Sequence, residues 1–166
     1  MRILKLALIS AVVFAIILTG FSLLLPSTIN ISKAIDINAA PSAIYPNLAD
    51  FSKWKHWYAD SSPAKISDPS IGKGATMHTG RTTITVLSAN EKTINLNWET
   101  GNNAMTGAFN IYSDSANIIT TVQWHFIQKV KWYPWEKFAS IVSNKAVGPF
   151  MEKSLDNLKK HIEDNR

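Results

Sequence analysis

Residues 82–127 read TTITVLSANEKTINLNWETGNNAMTGAFNIYSDSANIITTVQWHFI. Apolar and polar side chains alternate along them with the period of two that marks a half-buried strand. Turn residues interrupt the alternation at Asn90, Gly101-Asn102-Asn103 and Asp114-Ser115. The spacing predicts four consecutive antiparallel strands, at 82–89, 92–99, 105–113 and 117–127. Ile94, Leu96 and Trp98 share one face of the second. Met105, Gly107, Phe109 and Ile111 share one face of the third. Ile118, Thr120, Val122, Trp124 and Phe126 share one face of the fourth. These three faces carry bulky aromatics, and aromatic rings on a concave sheet must meet another apolar surface.

The C-terminus supplies that surface. Phe138, Ile141 and Val142 fall on one helical face, and Met151, Leu155, Leu158 and Ile162 recur at steps of four, three and four. Pro149 breaks the run, so two helical segments are expected, about 135–146 and 149–164. Upstream, the β pattern reaches back to Ala64, with turns at Gly72, Gly74 and Gly80. Before it, Pro41 suits the first position of a short helix to about Ala49. Asp50 is placed to cap a second, Phe51 to about Trp57. Residues 28–37, TINISKAIDI, alternate again, with Lys33 on the same face as Ile29, Ile31, Ile35 and Ile37. One strand, two short helices, about six further strands and a long amphipathic C-terminus fold most compactly as a curved antiparallel sheet gripping a helix.

Leu6 to Leu25 is uncharged, and thirteen of its twenty residues are Leu, Ile, Val or Phe. As a helix it spans roughly 30 Å, the thickness of a bilayer's hydrocarbon core. Its insertion is favourable by roughly 4–8 kcal/mol before polar corrections. A cleaved signal peptide is the rival reading, but the apolar run is long for one and no A-x-A-like site follows. A lipoprotein anchor needs a cysteine, and the chain has none. Arg2 and Lys5 precede the span, which places the N-terminus in the cytoplasm and the domain on the periplasmic side. Without those two, 15 Lys/Arg face 12 Asp/Glu, a net of +3. These charges are scattered singly or in pairs, with no basic stripe of the kind that follows a phosphate backbone, so nucleic acid is not an expected partner. Weak attraction to anionic headgroups fits better.

The order of elements resembles the START-like, or SRPBCC, helix-grip superfamily of polyketide cyclase/dehydrase-like proteins. Three stretches carry the likeness. One is Ile35-Asp36-Ile37-Asn38-Ala39-Ala40-Pro41 with Leu48-Ala49-Asp50 and the pair Trp54 and Trp57. Another is Val122-Gln123-Trp124-His125-Phe126. The last is the run Gly148 to Lys159. The resemblance implies an α+β helix-grip fold of about six to seven strands over residues 27–166, behind an anchor at 1–26. It also implies a cavity between the sheet and the C-terminal helix, of a kind that holds lipids, sterols or polyketides in relatives. No shared catalytic motif comes with it.

On this reading Met77, Trp98, Phe109, Trp124, Phe126, Phe138, Met151 and Leu155 are the candidate pocket residues. Trp98, Phe109, Trp124 and Phe126 either line a hollow or fill a core. His78 and Arg81, beside the Gly80 turn, and Glu99, near in hairpin order, are the polar candidates for the pocket mouth. A His78–Glu99 acid/base pair would suit a cyclase or dehydratase; solvated hairpin ends are the plainer account. His56, His78, His125 and His161 share no metal-ligand spacing, and neither metal nor cofactor is expected. Trp54 and Trp57 are expected to pack the short helices against the sheet. Trp132, Tyr133 and Trp135, with Lys129 and Lys131, have an interfacial composition: they either touch the membrane surface or pack as an ordinary loop. Three functions follow: a membrane-tethered monomeric binding domain for a small hydrophobic ligand, a cyclase-type enzyme, or an interaction module whose core is packed solid.

Overall fold

The computed structural model describes residues 2–25, 27–101, 103–113, 119–131 and 133–165, leaving aside the side chains of residues 138–144. The candidate residues Ile118 and Trp132, and the side chains of Phe138, Ile141 and Val142, lie outside that description. Helix α1 (Arg2–Leu24) is followed by β1 (Thr28–Ile37), α2 (Pro41–Ala49) and a 3-10 segment (Phe51–His56). Then come β2 (Ala64–Ile66), β3 (Thr76–Thr79), β4 (Thr82–Asn90), β5 (Thr93–Thr100), β6 (Asn103–Ser113), β7 (Thr120–Lys129) and α3 (Pro134–Asp164).

The seven strands form one antiparallel sheet in the order β1-β7-β6-β5-β4-β3-β2. Only β1 departs from hairpin order, pairing with β7 from Thr28↔Lys129 to Ile37↔Thr120. Two ends of the sheet follow from the register. At the near end β1 begins and β7 finishes, and the β3–β4 and β5–β6 turns lie there too, with Thr79↔Thr82, Thr82↔Thr100 and Thr100↔Asn103 as neighbours. At the far end lie the β4–β5 turn, the end of β1 and the start of β7. Gly80 and Gly101 take positive φ at the two near-end turns (55° and 58°), as tight hairpins require.

The alternation read from the sequence sets the inner face. Ile84, Val86, Ile94, Leu96, Trp98, Phe109, Ile111, Val122, Trp124 and Phe126 are all buried. At Gly107 a Cβ would come within 2.5 Å of the His125 carbonyl oxygen and 2.8 Å of the Phe126 ring. The absent side chain is what lets Phe126 lie flat on β6.

Two layers cover this face. At the far end α2 and the 3-10 segment form a plug, with Ile44, Leu48, Phe51, Trp54 and Trp57 buried. Asp50 Oδ1 accepts the Ser52 N–H at 2.9 Å, the cap expected from the sequence. The indole N–H groups of Trp54 and Trp57 donate to the carbonyls of Leu48 and Asn47, each at 3.0 Å. Those bonds satisfy both polar atoms inside an apolar cluster. Trp54 then meets Phe109 edge-on at 5.9 Å.

Helix α3 forms the second layer. It is one helix of 31 residues, not two segments. Pro149 removes one N–H, but Pro149 and Lys145 are both exposed, so the carbonyl left without its donor is open to water. Three ties align α3 with the first strand. Lys137 Nζ donates to the Leu25 carbonyl (2.6 Å) and to Ser27 Oγ (2.9 Å), Lys33 pairs with Glu152, and the Asn38 N–H donates to Glu163 Oε1 at 2.9 Å. The spacings agree: Lys33 to Asn38 is about 17 Å of strand, and Glu152 to Glu163 is about 16 Å of helix. Lys33 can therefore share the inner face with isoleucines, because its stem runs beside Gly148 and its amine reaches out to Glu152.

The side chains of α1 are exposed from Arg2 to Ile17; Leu18 and Thr19 are half-buried and Ser22 is buried where the helix meets the near end. It is long and apolar enough to cross a membrane. The Thr19 hydroxyl donates back to the Ala15 carbonyl at 2.8 Å, so this polar group needs no partner outside the helix.

Replacing Gly107 with Ala should cost about 1–3 kcal/mol, since the added methyl meets backbone and ring rather than a flexible chain end. Denaturant unfolding of the full chain in mild detergent measures this; an unchanged midpoint would contradict the close approach of β6 and β7.

Candidate functional site

Because the plug covers only the far half of the inner face, α3 bridges a gap over the near half. A cavity of about 500 Å³ occupies it. Trp98, Met105 and Phe126, from β5, β6 and β7, make the floor. Ala146, Val147 and Phe150 of α3 make the roof. The loop Tyr58 to Ser61 closes one side, and Thr82 and Thr100 stand at the rim. Ser61 and Thr100 are exposed, so the cavity opens at the near end of the sheet. Trp98 meets Phe126 edge-on at 4.5 Å, and Phe150 meets Tyr58 edge-on at 5.2 Å. Floor and side walls are thus aromatic and tightly braced.

Tyr58 separates this cavity from a second one of about 270 Å³, which it shares with Asp60 and Ser61 and which runs back to Phe51, Trp54 and Met77. Burial pushes the Tyr58 phenol up to about 12; the neighbouring Trp98 N–H opposes the shift and the Asp60 charge adds to it. Burial alone would raise the Asp60 carboxyl as well. Hydrogen bonds from the Ser62 N–H and the Thr79 hydroxyl, both 2.9 Å, outweigh it and hold that carboxyl below its ordinary value. Near neutrality Tyr58 keeps its proton and Asp60 keeps its charge.

Two further polar atoms stand out. The indole N–H groups of Trp98 and Trp124 are buried, and neither has a hydrogen-bond acceptor among the described residues. Trp98 Nε1 lies near the Tyr58 hydroxyl, close enough to oppose its shift, but the pair does not meet the geometry of a hydrogen bond. A buried donor left unpaired costs about 1–3 kcal/mol. Trp98 is part of the cavity floor, so an acceptor atom in the cavity would relieve that cost.

The candidate residues divide among several places. Trp98 and Phe126 line the main cavity, and Met77 lines the second. Phe109, Trp124, Met151 and Leu155 are buried in the core that backs the cavity and are not part of its wall. The polar trio does not converge on the hollow. His78 Nδ1 lies 2.9 Å from Thr83 Oγ1, and Thr83 is the cross-strand neighbour of Glu99. These three alternate with inward-facing Met77, Ile84 and Trp98, so they share the outer face of the sheet. An acid/base pair from His78 and Glu99 is therefore on the wrong side for chemistry in the cavity. Arg81 is exposed in the near-end turn. His125 accompanies Asn110 on the outer face, and His161 stacks on His56 at 4.9 Å. Among the described residues no three His, Asp or Glu side chains gather to hold a metal.

Sequence reasoning missed Tyr58, Asp60 and Ser61, which sit in a loop with no periodicity to assign a facing direction. Val147 and Phe150 were within reach: both fall three or four residues before Met151 or Ser154 on the buried side of α3.

A family model described as polyketide cyclase / dehydrase and lipid transport matches residues 28–163. No curated protein matches the sequence. Among solved structures, a START superfamily protein from Mycobacterium smegmatis is similar at TM-score 0.62 and 16% identity, over 82% of this chain and 99% of that one. CalU16 from Micromonospora echinospora is similar at 0.59 and 13%, over 81% and 75%. The di-domain ARO/CYC protein BexL is similar at 0.63 and 14%, over 82% of this chain and 50% of that one. At these identities the structural likeness concerns the fold.

The Tyr58 shift predicts a pH signature. A phenol whose neutral form is favoured by folding adds stability that is complete below about pH 10, its ordinary range, and is lost as pH rises toward 12. Alkaline unfolding of the full chain should include this component, and Tyr58→Phe should lack it. Identical alkaline profiles for the two would place the Tyr58 hydroxyl in solvent.

Proposed function

Because the chain belongs to the polyketide cyclase / dehydrase and lipid transport family, we propose that it is a membrane-tethered binding domain. Its ligand is small and hydrophobic, lipid-like or polyketide-like, and is held between the sheet and α3. The observation that carries this reading is the cavity of about 500 Å³, walled by Trp98, Met105, Phe126, Val147, Phe150 and Tyr58. Its size falls inside the roughly 300–1,000 Å³ of small-molecule sites. Burial of apolar ligand surface drives binding, at about 25 cal/mol per Å². The Trp98 N–H, buried and lacking an acceptor, fixes orientation by taking a carbonyl, ester or ether oxygen of the ligand. Helix α1 is the tether, with the N-terminus in the cytoplasm and the domain on the periplasmic side, as the placement of Arg2 and Lys5 supports.

Binding is favoured over a cyclase reaction by the groups in the wall. The ionisable lining residues, Tyr58 and Asp60, are shifted in directions that keep each in one protonation state around neutral pH. General acid/base catalysis needs a group that changes state near the working pH.

Native mass spectrometry of the full chain, extracted from host membranes, should find an apolar molecule bound in substoichiometric or stoichiometric amount. Ala146→Trp, which adds bulk at an exposed position of the roof, should lose it while keeping the fold. Absence of any bound species in the unsubstituted chain, also after incubation with total host lipid, would count against a ligand. Once the ligand is in hand, Trp98→Phe should weaken binding roughly five- to tenfold, the worth of one net hydrogen bond. Equal affinity would remove the indole from the recognition scheme.

A further inference from the structure

The cavity and the tether lie at the same end of the domain. Thr28, the first residue of β1, follows the end of α1 at Leu24 by four residues, which reach at most about 14 Å. Lys137 removes most of that slack by holding the Leu25 carbonyl and Ser27 against the start of α3. The near end of the sheet is thereby fixed within about one headgroup layer of the point where α1 ends. The β3–β4 and β5–β6 turns belong to that end, and so do the exposed lining residues Ser61 and Thr100.

The surface around this end is suited to a lipid interface. Trp135 is 68% exposed, the most of any described aromatic, and stacks on Tyr133 at 5.1 Å. Aromatic side chains that are apolar in body and polar at one edge concentrate at the headgroup level. Lys65, Arg81, Lys129 and Lys131 are exposed at the same end, against Glu99, the half-exposed Asp60 at the cavity mouth, and the half-exposed Glu136, which partly pairs with Lys131 at 3.9 Å. The balance there is cationic, as attraction to anionic headgroups requires.

We propose that the near end of the domain, with its two turns and the Tyr133–Trp135 stack, rests on the bilayer that α1 crosses, so that the cavity opens onto lipid and not onto bulk water. This rests on the anchor half of the reading above and extends it: the mouth exchanges its ligand with the adjacent leaflet. The occupant of the surface is the membrane itself. Continuity with α1 supplies the position, and Trp135 with the exposed cations supplies the affinity.

The chain has no cysteine, so single-cysteine variants can each carry one fluorophore without background. Full-length Ile16→Cys, Arg81→Cys and Glu91→Cys, labelled and reconstituted into phosphatidylcholine/phosphatidylglycerol vesicles, are compared with and without headgroup- and chain-level quencher lipids. Ile16 lies in α1, Arg81 in a near-end turn and Glu91 in the far-end β4–β5 turn. The chain-level quencher should quench the label at 16. The headgroup-level quencher should quench the label at 81 at least twofold more than that at 91. Replacing Trp135 with Ala, together with Lys129→Gln and Lys131→Gln, should bring 81 toward 91 while leaving 16 unchanged. If 16 is quenched but 81 and 91 respond alike, α1 spans the membrane and the docking is wrong. If 16 is not quenched, the anchor itself fails and the docking fails with it.

Discussion

An antiparallel sheet that concentrates aromatic side chains on one face cannot leave that face in water, and a single amphipathic helix is not wide enough to cover all of it. The whole structure follows from that mismatch. Three adjacent strands of the seven, β5, β6 and β7, present Trp98, Phe109, Trp124 and Phe126 to the same side. The short helices take the far part, where Trp54 and Trp57 lock edge-on into Phe109. What they leave uncovered becomes the hollow. The same contacts that make half of the interior solid make the other half open.

The ties along β1 determine how well that hollow is defined. A helix lying over a gap has little direct packing there to hold it in register. Lys137, Glu152 and Glu163 hold α3 from its first turn to its last against Ser27, Lys33 and Asn38. Two of these ties use charge near the surface, where an ion pair is worth little in free energy. Their effect is positional: they set which α3 residues hang over the floor, and hence that Val147 and Phe150, not their polar neighbours, form the roof.

Most of the architecture was legible because it rests on periodicity. Residues 28–37 and the four strands from residue 82 onward were visible as alternation, and the inward residues followed from it. Helix α3 was legible except at Pro149, where a local rule about proline was overridden by tertiary packing on either side and by solvent access to the freed carbonyl. The site was less legible, for a definite reason. Alternation tells which face a residue occupies and not where along the face the covering layer stops. It therefore grouped Phe109 and Trp124, which fill the solid half, with Trp98 and Phe126, which line the open half. His78, Arg81 and Glu99 were joined by their closeness to one turn. The register puts His78 and Glu99 one step out of phase with the inward residues, which turns them to the outer surface. Tyr58 and Asp60 had no repeating neighbour to betray them.

The strand and helix that begin at the same end also run the same way. In a chain anchored through α1, this makes α3 an upright post of about 46 Å whose last residue, Asp164, is its most distant point from the lipid. On that anchored reading the end of α3 stands clear of both the bilayer and the cavity mouth. A reporter or affinity handle fused there would stand apart from the exchange of small molecules below it, while the same handle on the N-terminus would sit on the opposite face of the membrane.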